Sequence, residues 1–318
     1  MLTSFASRPP QPTGQAVDVT NWAQHDDFAV FPVGSKPKRM LICPADAREP
    51  FLIPGHSYLF KTARGWQCQQ VWSEVIAYKI GAELGLAVPP CFIAVDAKTG
   101  ETGALVEFFY GYPGDAAPAR LVPASDFMTR VLVDKKRGRP HTIRMNLKLS
   151  RLLCKHASVV TWWAEALAFD ALIGNTDRHP DNWGFLFRVN PDGRAHVEMA
   201  PLFDNGTSLG YEVREEKLLS ASSSDCIEAY TMKGTHHCGL DRDGPAPHFE
   251  LCKQFLKAQA SAVPPMQSVI RYDRQKVESI LEECTRFDVG ICFSDDRARL
   301  VLSLLDARKA ALRAFLEG

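Results

Sequence analysis

Two polar strings hold the residues best suited to chemistry. The first is Gly174-Asn175-Thr176-Asp177-Arg178-His179-Pro180-Asp181-Asn182-Trp183-Gly184, and the second is Ala200-Pro201-Leu202-Phe203-Asp204-Asn205-Gly206. Apolar runs frame both, residues 168–173 and 185–187 around the first and Leu202-Phe203 within the second. Apolar flanks anchor a backbone in the core and leave a polar tip rigid at its edge, where reactive groups usually sit. Phosphoryl transfer from a nucleotide fits these residue types. It needs one carboxylate to orient and deprotonate an acceptor hydroxyl, and oxygen ligands to hold Mg²⁺ on the phosphates. Asp177 is the candidate base, Asn182 a neutral oxygen ligand five residues on, and Asp204 the charged ligand. The alternative is an Asx-rich turn with Asn182 as a cap and Asp204 in a hairpin. The length of the first string and the second Asp at short spacing favour chemistry.

The rest of the chain supplies elements to position these groups. Residues 28–31 and 40–42 read as strands around Gly34-Ser35-Lys36-Pro37-Lys38, a tip able to lay N–H groups and ammoniums over phosphates. A strand at residues 57–61 ends on Lys61. Val71, Val75, Ile76, Ile80 and Leu84 recur at helical spacing, with Gly85 just beyond, and Glu74 rides on this helix. A strand Lys on the phosphates with a helix Glu to orient it is the ion pair that kinases require. Strands are expected at residues 91–95 and 104–110, and a hinge whose backbone meets the adenine edge around Glu107 to Phe109.

Residues 111–158 read as hinge exit and insertion, with the basic strip Lys135-Lys136-Arg137-Gly138-Arg139 as a solvated hairpin tip. Helices are expected at residues 161–174, 249–260, 274–283 and 295–316, and strands at residues 185–189 and 196–199. Residues 220–247 read as loop that carries the acceptor-binding surface. The order implies an α+β chain with a two-lobed protein-kinase-like fold. It has a loose tail (1–27), a small β-rich N-lobe (28–110) and a larger α-helical C-lobe (111–318) with catalytic and metal loops at 174–210.

The strings Leu-Ile-Gly-Asn-Thr-Asp-Arg-His-Pro-x-Asn and Pro-Leu-Phe-Asp-Asn-Gly resemble the HipA-like serine/threonine kinase family of bacteria. The Asn-Thr-Asp-Arg segment is also similar to type II phosphatidylinositol kinases of the same broad superfamily. The resemblance implies ATP and Mg²⁺ as cofactors, with Lys61 on the phosphates, Glu107 and Phe109 on the adenine through backbone, Asp177 catalytic, and Asn182 with Asp204 on the metal. His179 matches a family position near the phosphates. It implies a protein acceptor with Ser or Thr, and an antitoxin partner if the chain is the toxin half of a toxin–antitoxin pair. Lipid or small-molecule kinase and nucleotide-binding pseudokinase scaffold are the alternatives. Three departures stand out. Only a short tail precedes the phosphate loop where longer members carry a subdomain. Phe31 occupies the position of the family's regulatory serine, and Tyr110 that of a ribose-contacting Asp.

Composition narrows the classes further. Lys plus Arg equal Asp plus Glu at 37 each among 318 residues, so no global field recruits nucleic acid or anionic lipid. Nine Cys without paired spacing argue against a disulfide framework or zinc cage, and His236-His237-Cys238 lacks a matching ligand cluster. Residues 159–173 are apolar but interrupted by Glu165 and Asp170, too short for a membrane span. A cytoplasmic location is expected.

Overall fold

The computed structural model describes residues 8–25, 38–115, 119–135, 137–154, 158–189 and 193–317. The expected strand at residues 28–31 and the loop residues Gly34, Ser35 and Lys36 lie outside them.

The N-terminal part is one six-stranded sheet in the order β1-β5-β6-β4-β3-β2. Its strands are β1 (Val17–Asp18), β2 (Ala23–Gln24), β3 (Lys38–Ile42), β4 (Ser57–Thr62), β5 (Cys91–Asp96) and β6 (Glu101–Glu107). Period-two alternation is clean in β4, where Tyr58, Phe60 and Thr62 are buried and the intervening residues are not. Lys61 is one of the half-exposed set and pairs in register with Lys38 of β3. The chain then forms α1 (Gln70–Glu83), which packs on β5, β6 and α9 (Arg274–Thr285).

Residues 8–25 correct the loose-tail expectation. β1 pairs in parallel with β5, and Gln11 exchanges two hydrogen bonds with the Ile93 backbone, at 2.8 and 2.9 Å. Arg8 reaches Glu107 at 3.0 Å. Polar, Pro-containing sequence does not stay loose when its backbone finds an unpaired sheet edge.

The C-terminal part opens with β7 (Ala119–Pro123), α2 (Ala124–Met128) and α3 (Ile143–Leu153), so the 111–158 insertion carries regular structure. Next come α4 (Ser158–Ile173), β8 (Gly184–Val189) and β9 (Ala195–Met199), with β7, β8 and β9 forming a three-stranded sheet. The stretch 220–247, read as loop, holds the end of α5 (Leu218–Ala221), α6 (Ser224–Lys233), β10 (Thr235–His236) and β11 (Ala246–Pro247). The remaining helices are α7 (His248–Ala258), α8 (Val263–Val269), α9 and α10 (Asp295–Leu316).

α4 is the axle of this part, apolar almost all round and packed against α3, α7, α8 and α10. Gly174 ends it at φ 70°, and a Cβ there would lie 2.9 Å from the Arg308 guanidinium. A left-handed glycine thus stops the helix and turns the chain into the first polar string. Among the described residues, no helix is long and apolar enough to cross a membrane. A mixed α/β chain with a curled N-terminal sheet and a helical C-terminal part is the kinase-like two-part architecture.

Candidate active site

Lys61, Glu74 and Asp204 come from three elements and meet. Lys61 Nζ lies 2.6 Å from Glu74 Oε1 and 3.1 Å from Asp204 Oδ1. The other Glu74 oxygen accepts the backbone N–H of Asn205 at 3.0 Å, so Glu74 holds both the lysine and the loop that carries Asp204. Burial works against the Lys61 ammonium, but Asp204 and Glu74 outweigh it and hold its pKa above that of a free lysine. Burial pushes the Glu74 carboxyl above the usual carboxylate range, opposed by Lys61.

α1 is fixed before it presents Glu74. Ser73 Oγ donates to the Ser208 carbonyl at 2.9 Å, Trp72 Nε1 to that of Ile291 at 2.8 Å, and Lys79 pairs with Glu283 at 3.0 Å. Asp204 has φ 58°, a left-handed conformation uncommon outside glycine but tolerated by Asp. Gly206 lets its loop lie against α1, since a Cβ there would be 3.2 Å from the Gln70 carbonyl and from Glu74 Cγ.

The first string folds as a tight loop. Asp177 N–H donates to Asn175 Oδ1 at 3.0 Å, and Asn182 Nδ2 donates to the Asp177 carbonyl at 2.7 Å. With its amide nitrogen so used, Asn182 has its amide oxygen left for a cation. The Asp177 and Asp204 side chains are 43% and 37% exposed, so both carboxylates are open to an incoming substrate. Trp183 underpins the loop, edge-on to Trp163 at 4.8 Å between ring centroids.

His179 leans on Asp181, 3.4 Å away, with Asp177 Oδ1 at 3.9 Å. Burial lowers its pKa, but Asp181 and Asp177 outweigh burial and raise it. Asp181 lies below the usual carboxylate range, first through His179 and in part through Lys38. Lys38 stands beside Lys61 in the register of β3 and β4.

A buried hub beneath both loops escaped the sequence reading. Arg178 donates to Asp170 through Nε at 3.0 Å and Nη2 at 2.7 Å, to the Asn182 and Phe203 carbonyls at 3.1 and 2.6 Å, and to Asn205 Oδ1 at 2.7 Å. One guanidinium thus joins α4, the Asp177 loop and the Asp204 loop. Asp170 also accepts from Asn175 Nδ2 at 3.0 Å and pairs with His236 Nε2 at 3.1 Å. Burial alone would raise the Asp170 pKa; Arg178 and His236 reverse this and depress it far below the usual range. His236, set aside in sequence as part of an incidental His-His-Cys, is a buried member of this hub. The one available signal was Asp170 itself, a charge inside the most apolar run.

Glu107 ends β6, and Phe109 follows two residues on. The Glu107 N–H is donated to the Pro90 carbonyl at 2.7 Å, and its fully buried side chain is held by Arg8 and the Tyr112 hydroxyl at 2.8 Å. Any adenine contact by Glu107 would therefore use its carbonyl oxygen. Phe109 is buried, with its ring stacked on Phe203 at 5.4 Å, just before Asp204.

The arrangement invites comparison with known proteins, and the HipA-like C-terminal domain profile matches residues 34–289. The chain belongs to that family. By structure this HipA-like chain is similar to the Helicobacter pylori proinflammatory kinase CtkA, with a TM-score of 0.72 and 19% identity, over 93% of this chain and 95% of that one. It is also similar to the Shewanella oneidensis MR-1 toxin HipA, solved with HipB and operator DNA, with a TM-score of 0.53 and 15% identity. That match covers 91% of this chain and 65% of that one. Both likenesses speak to the fold. No curated protein sequence matches the HipA-like chain.

The donor set fits Mg²⁺ carried on a nucleotide. Mg²⁺ prefers hard oxygens and takes one or two carboxylates plus substrate phosphates, not an all-protein cage. Asp204 and the Asn182 amide oxygen are of that kind. No group of three or more His, Cys, Asp or Glu placed to hold a metal occurs among the described residues.

Proposed function

We propose that this HipA-like chain is an ATP- and Mg²⁺-dependent kinase that phosphorylates Ser or Thr of a protein acceptor, as the toxin of a toxin–antitoxin pair. One observation carries the reading: Lys61, ion-paired to Glu74 on α1, also contacts Asp204 of the second string, while the first string presents its own part-exposed carboxylate, Asp177. Kinases need this ion pair and a metal-binding Asp in place together. CtkA is by its description a kinase, and HipA stands in a complex with HipB, which supports a kinase with an antitoxin partner.

In this reading Lys61 binds the nucleotide phosphates, with Glu74 fixing its direction. Asp177 accepts the proton of the acceptor hydroxyl as that oxygen bonds to the γ-phosphorus, and the bond from the γ-phosphorus to the bridging oxygen breaks to release ADP. Asn182 and Asp204 would hold Mg²⁺, which neutralises charge on the phosphates. His179, kept cationic over a wider pH range by its carboxylate neighbours, adds positive charge beside the reacting groups. The Phe109 backbone and the Glu107 carbonyl would meet the adenine, and Gly34, Ser35, Lys36 and Lys38 would cover the phosphates.

The test is direct. Purified protein is incubated with γ-labelled ATP, Mg²⁺ and host lysate, and labelled acceptors are identified by mass spectrometry. Label on Ser or Thr of a protein, absent with Asp177→Asn, is expected. Label only on lipid or a small molecule, or none, overturns the protein-acceptor reading.

A further inference from the structure

A groove of about 490 Å³ opens between α3 and the C-terminal end of α7, and no candidate site residue lines it. Its floor is apolar, made by Ile143 and Leu147 of α3 and by Phe255 of α7, all buried. Its rim is basic: Arg144, Lys148 and Arg151 stand against one carboxylate, Asp241. Arg144 is paired with Asp241 at 2.6 Å and Arg151 donates to Gln259 at 2.9 Å. Lys148 has no such partner among the described residues, and beside it Leu152 is 73% exposed. A leucine left that open next to an apolar floor is a surface suited to being covered.

A short chain of contacts links the segments that enter the groove to the catalytic loop. Just before α3, His141 Nδ1 lies 2.9 Å from His237 Nδ1, and the His237 ring is 5.9 Å from that of His179. The segments on either side of that contact run straight into the groove, through a bridge between Thr142 and Gly239 and on to Leu240. A Cβ on Gly138 would lie 2.6 Å from Pro180 Cδ, so the expected hairpin tip is packed on the catalytic loop.

We propose that this groove docks an acidic amphipathic segment of the acceptor protein, and so presents the adjoining Ser or Thr to Asp177. Leucine-like side chains would fill the floor as an amphipathic helix fills a hydrophobic groove, and acidic residues would pair with Lys148 and its neighbours. Charge decides the occupant: a basic or neutral segment gains nothing from a rim with three cations to one carboxylate. The acceptor role rests on the kinase reading above, whereas the docking itself does not.

The probe is a short fluorescein-labelled helical peptide with leucines at i, i+3 and i+7 and flanking glutamates. It is titrated by anisotropy against the full chain without nucleotide. Wild type should bind it, more weakly at higher salt, and a lysine-for-glutamate version should not bind. Lys148→Glu and Leu152→Glu, both at exposed positions, should each weaken binding about tenfold or more. Lys148→Glu should also improve binding of the lysine peptide, which a merely unfolded groove would not do. A serine-bearing version then serves as acceptor with ATP and Mg²⁺, where Lys148→Glu should raise KM and leave kcat unchanged.

No binding by wild type, or equal binding by the variants, overturns the proposal. So does sedimentation showing that the groove joins two copies, with dimers abolished by Leu152→Glu. Groove-dependent binding with no phosphate transfer to any acceptor sustains the docking site and instead sinks the kinase reading.

Discussion

The Arg178 guanidinium grips the Asp170 carboxylate through two hydrogen bonds, at 3.0 and 2.7 Å, with both side chains fully buried. Its remaining donors go to backbone and side chain of the two loops that carry Asn182 and Asp204. The relative placement of the two loops is therefore set from below, by a charge pair on α4, before any ligand arrives. Preorganisation of this kind is what positioned catalysis requires.

Removing one partner of such a pair leaves an uncompensated buried charge. Arg178→Ala should cost about 3–5 kcal/mol of stability, measured by urea unfolding. Arg178→Lys should recover only part, because a lysine lacks the fork that serves Asp170 and the two loops together. A loss of about 1 kcal/mol or less would show that the hub is not what holds the loops.

The same pair gives stability a pH dependence with a definite sign. The folded Asp170 pKa is depressed by Arg178 and His236, which overcome burial. Its contribution is therefore complete above the ordinary carboxylate pKa of about 3.9, and is lost as pH falls from there towards the folded value. The stability gap between wild type and Asp170→Asn should narrow as pH falls below about 4. Denaturant unfolding across that range checks it; a gap that widens on acidification would contradict the assignment.

Asp177 is exposed and held by its own loop, so its replacement should leave the fold intact. Asp177→Asn should keep nucleotide binding and lower turnover by about 10²–10⁴-fold, the usual worth of a positioned general base. Steady-state phosphate transfer together with nucleotide titration decides; equal turnover would remove Asp177 from the role.

Asp204 touches Lys61 and is the carboxylate assigned to Mg²⁺. Asp204→Ala should weaken ATP binding much more in the presence of Mg²⁺ than in its absence. Calorimetry under both conditions reads this. Unchanged metal dependence would make Asp204 a structural partner of Lys61 only.

By itself the sequence determined what depends on neighbours along the chain. The helix carrying Glu74, the strand ending near Lys61, the strands between the two strings and the last helix were legible from periods of 3.6 and 2. The helix expected at residues 295–316 is α10. The reactive candidates were legible because Asp177, Asn182 and Asp204 lie in two short polar strings set between apolar runs.

Tertiary structure alone decided what depends on which elements lie together. Arg178 meets Asp170 and Asn205 across separations of 8 and 27 residues, Asp170 meets His236 across 66, and no local period encodes such contacts. Two-residue strands such as β1 are too short to show alternation, so the edge they complete was invisible in a Pro- and Ser-rich tail. α3 was missed within the stretch read as an insertion; its Ile143 and Leu147 are buried in the assembled chain, where α3 packs on α4 and β9. Local propensity is a property of a few residues, whereas burial, which turned these polar and charged groups into a hub and a groove, is a property of the assembled chain.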